Sequence, residues 1–379
     1  MKIVLDARWI FPEISGIGLY TQELIRGLVA LEQPHRFVLL FDNHIVLNRT
    51  AEITGFDKNP LFSARIVNFG PFAPRGQLAL PWLLKHLEAD VYHSTNYMMP
   101  LLSCPQTKRV VTIHDLIPLM FRDHAPKSKK ARMFPVFKLL MHLIGRTADC
   151  IITVSESTRN DVLRELRIPA VRASRVVSIP EAADRAFKPA KNPLPRPRPR
   201  ILFVGRRDPY KNLPQLIEAF AQVRSRRIDA VLRIIGPEDK RYPEAPRRAL
   251  ELGLNDHIEW IGYVADHKLA LQYQESDVFV LASKYEGFGL TVLEAMACGT
   301  PVVCSNVSSL PEVVGDAAML VDPQNTEQIA DSIARVLSDS KLAASLREKG
   351  LVRAAQFSWK KTAELTLRAY ESLNIERAG

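Results

Sequence analysis

Two glutamates, Glu286 and Glu294, frame a Gly287-Phe288-Gly289 turn within the stretch 284–301. The glycines let a backbone come close to a ligand. From Leu290 to Cys298 the pattern is helical, and Gly299 with Pro301 supplies its stop. A helix that opens at this turn points amide N–H groups and a partial positive charge at whatever lies beyond it, an environment that suits a diphosphate. Glu294, about one turn inside, offers a carboxylate that can accept two hydrogen bonds from a vicinal diol such as ribose. An isolated glutamate there usually does no more than complement the helix dipole. Two carboxylates around a Gly-Phe-Gly turn at a strand-to-helix junction favour a ligand instead.

Further cations and turns belong to the same chemistry. The stretch 201–212 runs from a buried strand into a loop with Arg206, Arg207 and Lys211, and Asn212 is the expected N-cap of the next helix. A guanidinium fork at Arg206 and a point charge at Lys211 would neutralise a leaving diphosphate. Arg207 reads as a surface residue, and Asp208 receives no role. Near the N-terminus, Ser15-Gly16-Ile17-Gly18 precedes a helix, either a phosphate cradle or only a tight turn. His114, followed by Asp115, stands just past a buried strand, where a histidine is either packed or functional. His93-Ser94-Thr95-Asn96-Tyr97, after the previous strand, is expected on the same edge, near an acceptor.

These residues need elements that bring strand ends together. Short β-branched runs at 2–5, 36–41, 66–69, 90–93, 109–113, 149–154 and 176–179 alternate with helical patterns, which implies an α/β domain with a parallel sheet covered on both faces. The stretch 188–200 packs five prolines and reads as an extended connector and hinge. Beyond it the alternation restarts, with strands at 201–204, 231–235, 258–261, 278–281 and 302–304. The expected organisation is an N-terminal domain over 1–187, a connector over 188–200, a second domain over 201–358 and a C-terminal helix within 359–379 that packs back on the first. Ligands of such sheets sit at the carboxyl ends of the strands, here the expected cleft between the domains.

Composition bounds the alternatives. At 379 residues two domains are the natural expectation. The net charge of +10 favours anionic partners. Part of the excess is local, in Lys127, Lys129, Lys130 and Arg132 and in Arg196, Arg198 and Arg200. A nucleic-acid binder would explain that charge but not the loops, and no helix-turn-helix, zinc-finger or RNP-like motif supports it. Cys104, Cys150, Cys298 and Cys304 lack paired CxxC spacing, arguing against structural zinc and secreted disulfides. No Asp-x-Asp occurs, so no metal site is expected. The N-terminal apolar run is too short for a signal peptide and the apolar stretch 134–144 too short for a bilayer span. A cytoplasmic location is expected.

Taken together, Glu286 and Glu294 with Ala295, Gly299-Thr300-Pro301, the turn Leu310-Pro311-Glu312-Val313-Val314-Gly315 and the run 318–321 resemble the E-x7-E region of the retaining "group 1" glycosyltransferases, and the likeness spans nearly the whole chain. The resemblance implies the GT-B fold: α/β, two Rossmann-like domains with parallel sheets facing an interdomain cleft. It gives Glu286 the transferred sugar, Glu294 the ribose hydroxyls, and the amides of Phe288, Gly289 and Leu290 the sugar and diphosphate. Arg206 and Lys211 would bind the pyrophosphate, and His114 the transferred sugar, oriented by Asp115. Gly16 and Gly18 would lie over the donor phosphates and the acceptor site. Gly236, Tyr263 and Val264 are expected around the base. The N-terminal half looks most like mannosyltransferases of bacterial surface-polysaccharide assembly, implying GDP-mannose as donor and a saccharide or lipid-linked saccharide as acceptor, with UDP- or ADP-sugars as the alternative. Transfer would be retaining and metal-independent, without a cofactor. The basic cluster at 127–132 and the apolar 134–144 segment would rest on an anionic membrane. A GT-B-like epimerase is the competing class, but it lacks the E-x7-E arrangement.

Overall fold

The structure, a computed structural model, describes residues 1–13, 15–102, 106–121, 134–190 and 197–375, without the side chains of Asp266, His267, Asn374 and Ile375. Cys104, the cluster Lys127, Lys129, Lys130 and Arg132, and Arg196 lie outside the described residues. The chain divides into two compact units, one of residues 1–119, 132–181 and 358–379, the other of 120–131 and 182–357.

In the first unit the chain runs β1 (Lys2–Asp6), α1 (Gly16–Val29), β2 (Arg36–Phe41), α2 (His44–Thr54), β3 (Phe62–Ile66), α3 (Gly76–His86), β4 (Val91–Ser94), β5 (Lys108–Ile113), α4 (Phe134–Thr147), β6 (Cys150–Thr153), α5 (Glu156–Glu165) and β7 (Val176–Ser178). Among the described residues these strands form one seven-stranded sheet, ordered β3-β2-β1-β4-β5-β6-β7. The described pairings are parallel. Ile3, Val4, Leu5, Val110, Val111 and Ile113 are fully buried, as strands covered on both faces must be. The third strand lies earlier than the expected 66–69. Val67 donates to Phe41 O and ends the ladder. The carbonyls of Asn68 and Phe69 then turn to the guanidinium groups of Arg75 and Arg8. Val67 and Phe69 are nevertheless buried, so their hydrophobicity reports packing rather than strand.

The second unit runs β8 (Arg200–Val204), α6 (Leu213–Ser225), β9 (Val231–Ile235), α7 (Glu244–Glu251), β10 (Ile258–Ile261), α8 (Asp266–Gln274), β11 (Val278–Leu281), α9 (Leu290–Ala297), β12 (Val302–Ser305), α10 (Leu310–Val314), β13 (Met319–Val321), α11 (Thr326–Ser338) and α12 (Ser340–Ala354). Among the described residues its six-stranded sheet is ordered β10-β9-β8-β11-β12-β13, parallel in every described pairing. Leu202, Phe203, Ile234, Phe279, Val280 and Val303 fill the centre of its core. The chain order reverses beside β8 and β1, the topological switch points of open α/β sheets. Lys188, where the Pro-rich stretch begins, accepts a hydrogen bond from Gln274 of the same unit.

After Phe357 the chain returns to the first unit. Its last helix, α13 (Trp359–Ile375), packs along α1. A Cβ on Gly27 would lie 2.7 Å from Ala363 Cβ and 2.8 Å from Trp359 O, so only glycine permits this crossing. Thr362 Oγ1 donates to Pro180 O at 2.7 Å and Tyr370 is fully buried.

Candidate active site

In the second unit the residues singled out from the sequence lie on loops at the carboxyl ends of strands or, for Leu290 and Glu294, in the first turns of α9. Glu286 belongs to the loop between β11 and α9, and Lys211 to the loop between β8 and α6. Although 75 positions apart, the Lys211 ammonium donates to both Glu286 oxygens, at 2.7 and 3.0 Å. Both side chains are about nine-tenths buried. Burial works against the Lys211 charge, but Glu286 outweighs it and the ammonium holds its proton more tightly than usual. The Glu286 backbone is pinned as well, its N–H donating to Ser308 Oγ and its carbonyl accepting from Ser309 Oγ.

Gly289 caps α9 with φ of 98°, a left-handed conformation open to glycine, and no side chain caps the first amides of the helix. Leu290 begins the helix, and Phe288, buried before it, rests edge-on against Phe357 at 5.8 Å. Glu294, one turn on, is buried and accepts a 2.8 Å bond from the Tyr273 hydroxyl. Burial and the Glu294 charge raise the Tyr273 pKa.

Arg206 is two-thirds exposed and forked onto Asp208 at 2.6 and 2.8 Å. Asp208, given no role from sequence, therefore orients the guanidinium. Arg207 is not the surface residue expected: its guanidinium lies over the Trp260 ring at 4.6 Å, and its buried Nε has no hydrogen-bond partner. Asn212 stands at the N-cap of α6 but does not cap it. Pro214 occupies the helix start, where one amide N–H is missing, and the Asn212 amide donates instead to Ala282 O and Pro323 O. Gly236 ends β9, its N–H on Ile261 O. After β10, Tyr263 is largely exposed and Val264 leans on the core.

In the first unit, Ser15 caps α1, its Oγ accepting from Gly18 N at 3.2 Å. The Gly18 amide is thus already engaged, and a Cβ on Gly16 would meet open space. His114 follows β5. Its Nδ1 lies 2.9 Å from Glu181 Oε1 and its Nε2 3.0 Å from Thr95 O. The Tyr20 ring meets it edge-on at 4.7 Å. Glu181, not Asp115, orients the ring; an Asp115 oxygen accepts from Ile117 N. His93, Ser94 and Thr95 do not form an exposed edge. They are fully buried and bonded inward, to Tyr370 and Thr112, to Trp9 and to Thr21. Burial, assisted by the His114 charge, pushes the His93 pKa down to about 3. Nothing in the sequence announced Glu181, which stands 67 positions from its partner.

Among the described residues no group of three His, Cys, Asp or Glu is arranged to hold a metal ion. No helix among them is long and apolar enough to cross a membrane.

Two parallel α/β sheets, the second with a carboxylate-lysine pair at its strand ends, place the chain in a class: the GT-B glycosyltransferases. Residues 14–187 match the model of Glycosyltransferase Family 4 and residues 184–353 that of Glycosyl transferases group 1. The chain belongs to this family of glycosyltransferases. It is 29% identical to the O-antigen chain mannosyltransferase B of Escherichia coli, over 98% of this chain and 100% of that one. It is 26% identical over 98% of its length to the serotype-specific mannosyltransferase WbdA of the same organism, of which it spans 48%. Sucrose-phosphate synthase from Thermosynechococcus elongatus has the same fold, with a TM-score of 0.77 at 23% identity over 99% of both chains. So does HepE from Anabaena in complex with UDP and glucose, with a TM-score of 0.73 at 18% identity over 98% of this chain and 100% of that one.

Proposed function

We propose that this glycosyltransferase moves mannose from GDP-mannose, with retention of configuration and without a metal, to a saccharide or lipid-linked saccharide acceptor in surface-polysaccharide synthesis. The similarity to two mannosyltransferases, one of them named for the O-antigen chain, supports the sugar and the setting. The single observation that carries the chemistry is the buried Lys211–Glu286 pair. A cation and a carboxylate in contact suit the two ends of a sugar diphosphate, the ammonium meeting phosphate charge and the carboxylate the sugar. Arg206, steadied by Asp208, adds a second cation for the diphosphate. The amides of Phe288, Gly289 and Leu290 receive its oxygens, Glu294 the ribose diol, and Gly236, Tyr263 and Val264 the base. His114 serves the transferred sugar, and Gly16 and Gly18 the phosphates and acceptor. The leaving phosphate oxygen takes the acceptor proton as the new bond forms on the face it vacates.

Thermal shift against GDP-mannose and matching UDP- and ADP-sugars tests the donor, because a ligand that binds the folded chain raises its melting temperature. GDP-mannose is expected to stabilise most; a larger shift with UDP-glucose would transfer the assignment to a UDP-sugar. Turnover in EDTA and NMR of the product anomer test the other two points, and an inverted anomer would refute the mechanism. The acceptor reading places the chain on a membrane surface, supported by Val136 and Leu139, which α4 leaves exposed. Co-sedimentation with anionic vesicles, lost on Val136→Asp/Leu139→Asp, checks it.

A further inference from the structure

We propose that Glu181 is a positioning residue that, with the carbonyl of Thr95, holds His114 as a doubly protonated imidazolium, so that the ring acts as a fixed positive charge and not as a proton acceptor. The inference rests on the reading above in giving His114 a part in transfer. Its geometric basis is independent of that reading. Each ring nitrogen faces an atom that can only accept: Nδ1 a carboxylate oxygen at 2.9 Å, Nε2 a backbone carbonyl at 3.0 Å. A neutral imidazole has a single N–H and would leave one of these contacts as two facing lone pairs. Both His114 and Glu181 are largely buried, where such a mismatch is costly. A ring with two N–H donors satisfies both partners at once.

The surroundings support that charge. Burial opposes it, but the hydrogen bond and charge of Glu181, then the Thr95 carbonyl and the charge of Asp115, outweigh burial and raise the His114 pKa. The Tyr20 and His114 rings meet at 87°, and the Tyr20 hydroxyl, bonded to Thr112, is held protonated by burial. The other nearby histidine, His93, is held neutral. One charged and one neutral imidazole therefore lie side by side in the first unit. With both N–H groups engaged, His114 neither takes nor gives a proton during transfer. Its part toward the transferred sugar is then that of a fixed charge.

The test has two arms. In histidine-labelled enzyme, ¹⁵N NMR is expected to show both His114 nitrogens protonated at pH 7, with the resonance assigned from His114→Asn. An unprotonated nitrogen at pH 7 overturns the proposal, whether or not any donor is turned over. In Glu181→Gln, which keeps the shape and removes the charge, the main causes that raise the His114 pKa are gone while burial, which lowers it, remains, so the ring is expected to lose most of its charge at pH 7.5. Turnover is then expected to fall about tenfold at pH 7.5 through kcat, with KM for the donor little changed, and to recover as the pH is lowered towards 5.5. A uniform loss at every pH would mean that Glu181 only supports the fold and would overturn the positioning role. Absence of turnover in wild type with every nucleotide sugar would instead defeat the proposed function and leave the NMR arm to decide the charge state.

Discussion

At the scale of single residues, the proposed chemistry rests on pairs in which each member holds the other's charge. Replacing Lys211 by Met strands the Glu286 carboxylate in a buried place, at a cost of about 3–5 kcal/mol, and, if Lys211 meets the phosphates as proposed, is expected to lower kcat by about 10²–10³. Glu286→Gln is expected to unfold more gently and to lose turnover just as completely; denaturant melts beside assays separate the two effects. At Gly289, a Cβ would stand 2.6 Å from Leu310 Cδ2 on a backbone at φ of 98°. Gly289→Ala should therefore destabilise by about 1–3 kcal/mol and abolish the donor-induced thermal shift. His93 sets a pH dependence with a definite sign. Its folded pKa is depressed to about 3, so the stability it contributes is present above its unfolded value of about 6.5 and drains away as the pH falls from there towards 3. His93→Gln should flatten that acid limb in unfolding experiments followed from pH 7 to 4. His114, raised instead, contributes below about 6.5 and loses its contribution as the pH rises through its folded pKa.

At the scale of elements, the sequence was readable wherever a signal is local. Alternating β-branched runs, the turn at 287–289 and the Gly299-Pro301 stop each lie within a few residues of what they determine, and strands such as β2, β9, β10 and β11 fall where the pattern puts them. The third strand slipped because Val67 and Phe69 are buried without being in the sheet, and hydrophobicity alone does not separate those cases. Asn212 had the right residue type for a cap, but Pro214 withdrew an amide and stronger partners waited at Ala282 and Pro323. Glu181 with His114, and Tyr370 with His93, are joined only when the sheet is assembled and α13 returns to it, across 67 and 277 positions. No periodicity could carry them. The crossing of α1 by α13 has the same origin, and Gly27 makes it possible. Gly27→Val should cost about 1–3 kcal/mol through overpacking, read as a lowered denaturation midpoint with an unchanged slope.

At the scale of the molecule, each unit has its own sheet and core, yet the first is assembled from three separate stretches of chain. Ending the polypeptide after Phe357 leaves the second unit covalently whole and strips α13 from the first. Calorimetry of that truncation should show the transition of the first unit moved to lower temperature while that of the second stays in place, and the loss of Tyr370 should free His93 to titrate nearer its ordinary value. The feature also orders events during synthesis. Once Glu181 has been made, the ribosome must add residues 182–357 before the closing helix appears, a wait of roughly ten to thirty-five seconds at about 5–20 residues per second. Through that interval the flank of α1 that α13 will cover stays bare beside nascent chain, so the older half of the protein is the last to be completed, and a premature stop in the message for the second half is expected to destabilise the first.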